Sequence, residues 1–124
     1  IWKAIEVTQP RVVILEYQNA WPADRRVTQR YVEDFRCKDV ILPRGLPRCG
    51  ASLAAFVALG RDKGYRLVGC ERLCFNAVFI RHGIAEECFP EIPASDCFVH
   101  PMARWRQLLM AEKAHLLPDM WEEV

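Results

Sequence analysis

A chain of 124 residues that is 52% hydrophobic and 27% charged has enough apolar material for a core and lies outside the composition of disordered proteins. Its 17 basic and 16 acidic side chains leave a formal charge of +1, which excludes nucleic acid or an anionic membrane as a partner recruited by a long-range field. No run approaches the ~18 apolar residues of a membrane span and no secretory leader pattern is visible, so the chain reads as cytoplasmic, comprising one domain or part of a larger one.

Ile1, Trp2 and Ile5 share roughly one helical face, so residues 1–8 read as the last turns of an amphipathic helix stopped by Pro10, in a chain cut from something longer. Residues 11–17, RVVILEY, hold four consecutive apolar β-formers without alternation, the pattern of a central parallel strand buried on both faces. Residues 18–49 contain Pro22, Pro43 and Pro47, many charges and little periodicity beyond a turn over 31–35. A structureless connection of about thirty residues inside a compact domain reads as a lid-like loop.

Residues 50–63 give the best helix, with Leu53, Phe56, Val57 and Gly60 at i, i+3, i+4 and i+7. Gly60 costs about 1 kcal/mol relative to alanine there, so close packing against a sheet is its expected justification. Gly64 fits the left-handed position after the helix, with Tyr65 as the accompanying hydrophobic contact. Residues 66–70 and 76–81 then read as two strands joined by a five-residue linker, an antiparallel hairpin. A strand, a connection containing a helix and this hairpin imply a right-handed crossover and a mixed sheet.

Residues 85–124 form a C-terminal extension: a segment with Pro90 and Pro93, then a helix opened by Pro101. Met102, Trp105, Leu108 and Leu109 supply that helix with an apolar stripe for the core, which leaves Arg104 and Arg106, like Arg25 and Arg26, on solvated surfaces.

Six cysteines stand at 37, 49, 70, 74, 88 and 97. With a core available and no secretory leader, reduced thiols are expected rather than a disulfide framework. Cys70 and Cys74 with Cys97 and His100 could be counted as four zinc ligands, but both pairs fall where hairpin or loop packing already explains them, so no metal is assigned. Cys49, just before the helix at Gly50, sits where a helix dipole would favour a thiolate. Glu16 is the stronger candidate. It is a charge at the carboxyl end of a strand that otherwise reads as buried, and open α/β sheets bind ligands outside such ends. Neither a G-x-x-x-x-G-K-[ST] loop nor a G-x-G-x-x-G turn is present to cradle a nucleotide.

IWKAI, PRVVILEYQ, GASLAAFVALGRDKGYRLVGC, FNAVFIRHGI and the HP-x-AR and W-x-EV tail, taken in succession, resemble the C-terminal half of FkbM-like, S-adenosylmethionine-dependent methyltransferases, most specifically in KGYRLVG and NAVFIR. The resemblance spans nearly the whole chain. It implies an α/β fold, the C-terminal part of a Rossmann-like methyltransferase sheet, in which residues 11–17 are the fifth strand and the strand from Asn76 is the antiparallel seventh, inserted beside it. It also implies that S-adenosylmethionine is bound mainly by residues upstream of residue 1, that the acceptor is a small molecule or sugar methylated on oxygen, and that this half alone is inactive. Glu16 and Tyr17 match the Glu-Tyr that closes the fifth strand in similar sequences, and Asn76 matches the Asn that opens the seventh. Glu16 is thereby expected to serve as catalytic base or positioning group, with Tyr17, Gln18 and Asn76 as substrate contacts. Similar sequences tend to have Asn at the position of Glu71, Gly at that of Cys74 and an aromatic residue at that of Cys49. In a chain cut from something longer, the fifth strand is expected to lack its neighbour and to self-associate through the exposed sheet edge. The rival expectation is a non-catalytic binding or assembly module.

Overall fold

The computed structural model describes residues 1–35, 49–113, 115 and 120–124. Part of the lid-like stretch, residues 36–48 with Cys37, Pro43 and Pro47, lies outside the described residues. In chain order the elements are β1 (Val12–Glu16), β2 (Val27–Gln29), α1 (Leu53–Asp62), β3 (Tyr65–Cys70), β4 (Asn76–Arg81), α2 (Pro101–Lys113) and β5 (Trp121–Glu123), with 3-10 turns at Trp2–Ala4 and Ala94–Phe98. The fold is mixed α/β, with a three-stranded sheet of order β1-β4-β3 and a two-stranded sheet of β2 and β5. Among the described residues no helix is long and apolar enough to cross a membrane.

β3 and β4 form the hairpin that the two apolar runs announce. Its linker is shaped by Glu71, whose carboxylate accepts the backbone N–H groups of Leu73 (2.6 Å), Phe75 (2.5 Å) and Asn76 (3.3 Å). Cys74 turns the chain at φ 61° and is fully buried. The N–H of Phe75, then that of Leu73, hold the Glu71 carboxyl below its ordinary value of 4.5. A carboxyl lowered in the folded state contributes stability above its unfolded-state pKa, and that contribution is lost as the pH falls through the folded value. Glu71→Gln is therefore expected to flatten the loss of stability below about pH 4.5, as read from urea midpoints along a pH series. Identical acid limbs for the two proteins would refute this role.

β1 is not buried on both faces. Among the described residues it pairs with β4 alone and antiparallel, Ile14 opposite Val78 and Glu16 opposite Asn76, which places it at the edge of the sheet they form. Val13 and Leu15 face the core, while Val12 and Ile14 are exposed, Ile14 by 63%. The unbroken apolar run misleads because alternation reports burial only when one face is covered by polar choice. Here the outward positions are apolar as well.

α1 begins later than its periodicity suggests because Ser52 caps it, the hydroxyl accepting the N–H of Ala55 (3.2 Å) and that of Val27 (3.0 Å). Gly60 is where close packing demands it. A Cβ would lie 3.2 Å from both Phe79 Cδ1 and Trp2 Cη2. Gly64 ends the helix at φ 80°, and Tyr65 behind it is buried.

The opening residues form one 3-10 turn, not the end of an α-helix: Trp2 alone enters the core, against the rings of Tyr65 (5.6 Å) and Phe79 (5.3 Å), while Ile1 and Ile5 are exposed. A stretch this short does not repay helix nucleation, and one anchored indole decides its path.

α2 also departs from expectation. Met102, Trp105 and Leu108 are exposed, and the buried positions are Ala103 and Met110. Met110 joins Ala20, Trp21, Val27 and Trp121 in a second apolar cluster against β2 and β5, with Leu109 at its margin. The inward face thus runs through 103, 106 and 110, with Arg106 half-buried on it rather than solvated.

Candidate functional site

At the carboxyl end of β1 the chain turns from an exposed carboxylate, Glu16, into five consecutive buried residues, Tyr17 to Trp21. The backbone explains the bend. Tyr17 N–H donates to Phe75 O (2.8 Å), continuing the pairing with the hairpin, whereas Gln18 N–H donates to Ala51 O (2.8 Å), crossing to the segment that precedes α1. Asn19 then ties this bend to the hairpin linker, its Nδ2 donating to Cys74 O (2.8 Å). Two loops distant in sequence, 49–51 and 71–75, are thereby held against the end of one strand.

Three of the sequence-predicted site residues come together there. Glu16 and Asn76 stand opposite each other in the β1–β4 register, on one face of the sheet. Gln18 lies beside them, nearly buried, with its amide engaged at both ends: Nε2 donates to Cys49 O (3.3 Å) and Oε1 accepts from Arg106 Nη2 (3.1 Å). Tyr17 is not with them. Its ring packs edge-on to Phe98 (5.8 Å) and its hydroxyl donates to Cys97 O (2.7 Å), so it serves the core.

The residue that sequence reasoning missed is Arg106. Its guanidinium lies 5.4 Å from the centroid of the Phe75 ring and is steered by Gln18. Burial pushes its pKa down, while the nearby Glu16 carboxylate, and then the Cys49 thiol, push it back up. The spacing Ala103, Arg106, Met110 is the signal that could have found it: an arginine three residues after and four residues before small or apolar inward positions shares their face.

The cysteines read differently in three dimensions. Cys49 is not at a helix N-terminus, because Ser52 is the cap and α1 starts at Leu53. Cys70, Cys74 and Cys97 gather around the Tyr17 phenol, and burial raises the pKa of Tyr17, Cys70 and Cys97, which keeps these groups protonated. They act as packing and turn residues, and neither they nor Cys88 form a disulfide. Among the described residues no group of three or more His, Cys, Asp or Glu side chains is arranged to hold a metal ion.

A groove of about 760 Å³ runs along the core-facing side of β1, between Trp2, Val13, Phe56 and Tyr65, and none of Glu16, Gln18, Asn76 and Arg106 lines it. No family model, curated protein or solved structure matches the chain.

Proposed function

We propose that this chain is the acceptor-binding half of an S-adenosylmethionine-dependent methyltransferase of the FkbM-like type, acting on an oxygen of a small molecule or sugar. The observation that carries the reading is the strand arrangement. β1 and β3 run in the same direction with α1 in their connection, β4 lies antiparallel between them, and Glu16, Gln18, Asn76 and Arg106 collect at the carboxyl end of β1. This is the order expected for the fifth, seventh and sixth strands of such a sheet.

The described residues offer no cradle for the cofactor. The sequence has no G-x-G-x-x-G turn and no G-x-x-x-x-G-K-[ST] loop, so it carries no glycine-rich phosphate cradle. The reading therefore assigns the cofactor to residues other than these. What this chain supplies is position: Asn76 and Gln18 orient the acceptor, and the exposed Glu16 carboxylate receives the proton as the acceptor hydroxyl becomes a nucleophile. Calorimetric titration of S-adenosylmethionine into the protein as its gene encodes it is expected to show saturable one-to-one binding. Absence of binding would overturn the reading. With an acceptor in hand, Glu16→Gln is expected to slow transfer by about 10²- to 10⁴-fold, the usual worth of a general base.

One observation favours a second reading, a non-catalytic assembly module. Among the described residues no strand pairs with the outer edge of β1, which carries Val12, Val13, Ile14 and Leu15 without proline, lysine or bulge, and Val12 and Ile14 are exposed. Such an edge pairs readily with the same strand of a second copy. Light scattering over a dilution series is expected to show dimers that Ile14→Lys disperses, and a parent protein that stays monomeric throughout would argue against this reading.

A further inference from the structure

Arg106 is held on the inward face of α2 by an uncharged amide and a ring rather than by an ion pair among the described residues. Ion pairs within 4 Å join Arg25 to Glu123, Arg61 to Glu91, and Arg66 and His82 to Glu86, and among the described residues none includes Arg106. Its guanidinium is half-buried, which is unfavourable for a charge without a bonded anion. Yet it is held in place, by Gln18 Oε1 at 3.1 Å and by the Phe75 ring. One N–H serves Gln18, and a guanidinium has five to give, in a planar fork that matches a carboxylate. The Gln18 amide is itself fixed by Cys49 O, so the fork is oriented before any ligand arrives.

We infer that Arg106 is the anchor for the carboxylate of a hydroxylated organic acid, bound at the carboxyl end of β1 with its hydroxyl toward Glu16 and Asn76. The nearby Glu16 selects against a bare anion, which it repels, and for a molecule that offers a hydroxyl donor beside its carboxylate. Gln18 is then a positioning residue, acting through Arg106. The inference rests on the proposed function for its place in a reaction, but not for the binding itself, which needs no methyl donor.

The test uses the protein without S-adenosylmethionine, titrated at constant ionic strength with glucuronate, acetate and glucose, and read from the Arg106 Nε–H and Gln18 side-chain amide resonances. Glucuronate is expected to move both signals saturably, acetate to do so at least tenfold more weakly, and glucose not at all. Arg106→Gln should weaken glucuronate at least tenfold, followed at Gln18, and Arg106→Lys should restore part of the affinity. Glu16→Gln should strengthen acetate while weakening glucuronate, a reversal that a purely structural arginine would not produce. If neither acid moves either signal beyond a chloride control, or if glucose binds as well as glucuronate, the inference is wrong. Failure here with S-adenosylmethionine still bound removes the anion site alone; success here without it removes the methyl-transfer reading alone.

Discussion

Phe79→Ala is expected to lower the free energy of unfolding by about 3–5 kcal/mol, the range for deleting a fully enclosed ring. Phe79 is completely buried on β4, opposite Val13 on one side and Leu67 on the other, so its loss opens a hole at the centre of the three-stranded sheet. Trp2 packs on the ring at 5.3 Å, and α1 approaches it at Gly60, which has no side chain to move into the space. Urea unfolding followed by tryptophan fluorescence measures the loss, and a change under 1 kcal/mol would show that this ring is not the keystone of the sheet. The same geometry predicts coupling. In the parent, Gly60→Ala meets Phe79 and Trp2 at 3.2 Å. In the Phe79→Ala background only the Trp2 contact remains, and that indole can shift into the space the ring leaves, so the alanine should recover part of the roughly 1 kcal/mol of helix propensity.

Arg66→Ala is expected to cost about 1.5–3 kcal/mol, the range for hydrogen bonds made by a charged group. Arg66 is 3% exposed. Its Nε and Nη2 donate to Phe89 O (3.1 and 3.0 Å), Nη2 also to Ile84 O (2.7 Å), and Nη1 to Arg81 O (2.9 Å). One side chain thus pins the segment after β4 to the sheet, and removing it leaves three carbonyls to find new partners. The Glu86 carboxylate, at 3.7 Å and half-exposed, adds little because solvent screens it. Hydrogen exchange should therefore quicken most between residues 82 and 92, and Arg66→Lys, keeping the charge without the fork, should recover only a minor part. Uniform exchange along the chain, or an Arg66→Ala variant within 1 kcal/mol of the parent, would refute the assignment.

Much of the site's frame is legible along the chain. The hairpin follows from two apolar runs and a five-residue linker, and the two glycines of α1 and its exit are in place for the reasons their positions suggest, close approach at Gly60 and a positive φ at Gly64. Glu16 was visible because it interrupts an apolar run at a strand end. Arg106 was not, since an arginine beside Trp105 looks like the wet side of a helix until the helix is docked. The contest between the stripe 102, 105, 108 and the stripe 103, 106, 110 was settled by what stood opposite: Gln18 and Phe75 at one height, Trp21 and Trp121 at the other.

By itself, then, the sequence determined the local pieces of this protein, the hairpin, both helices and the strand that carries Glu16, because period, capping and turn chemistry act between residues close in the chain. The tertiary structure alone decided that β1 pairs antiparallel with β4, that Tyr17 belongs to the core, and that Arg106 meets Gln18 beside Glu16. Each of these is set by a partner as much as 88 residues away, which no local pattern encodes.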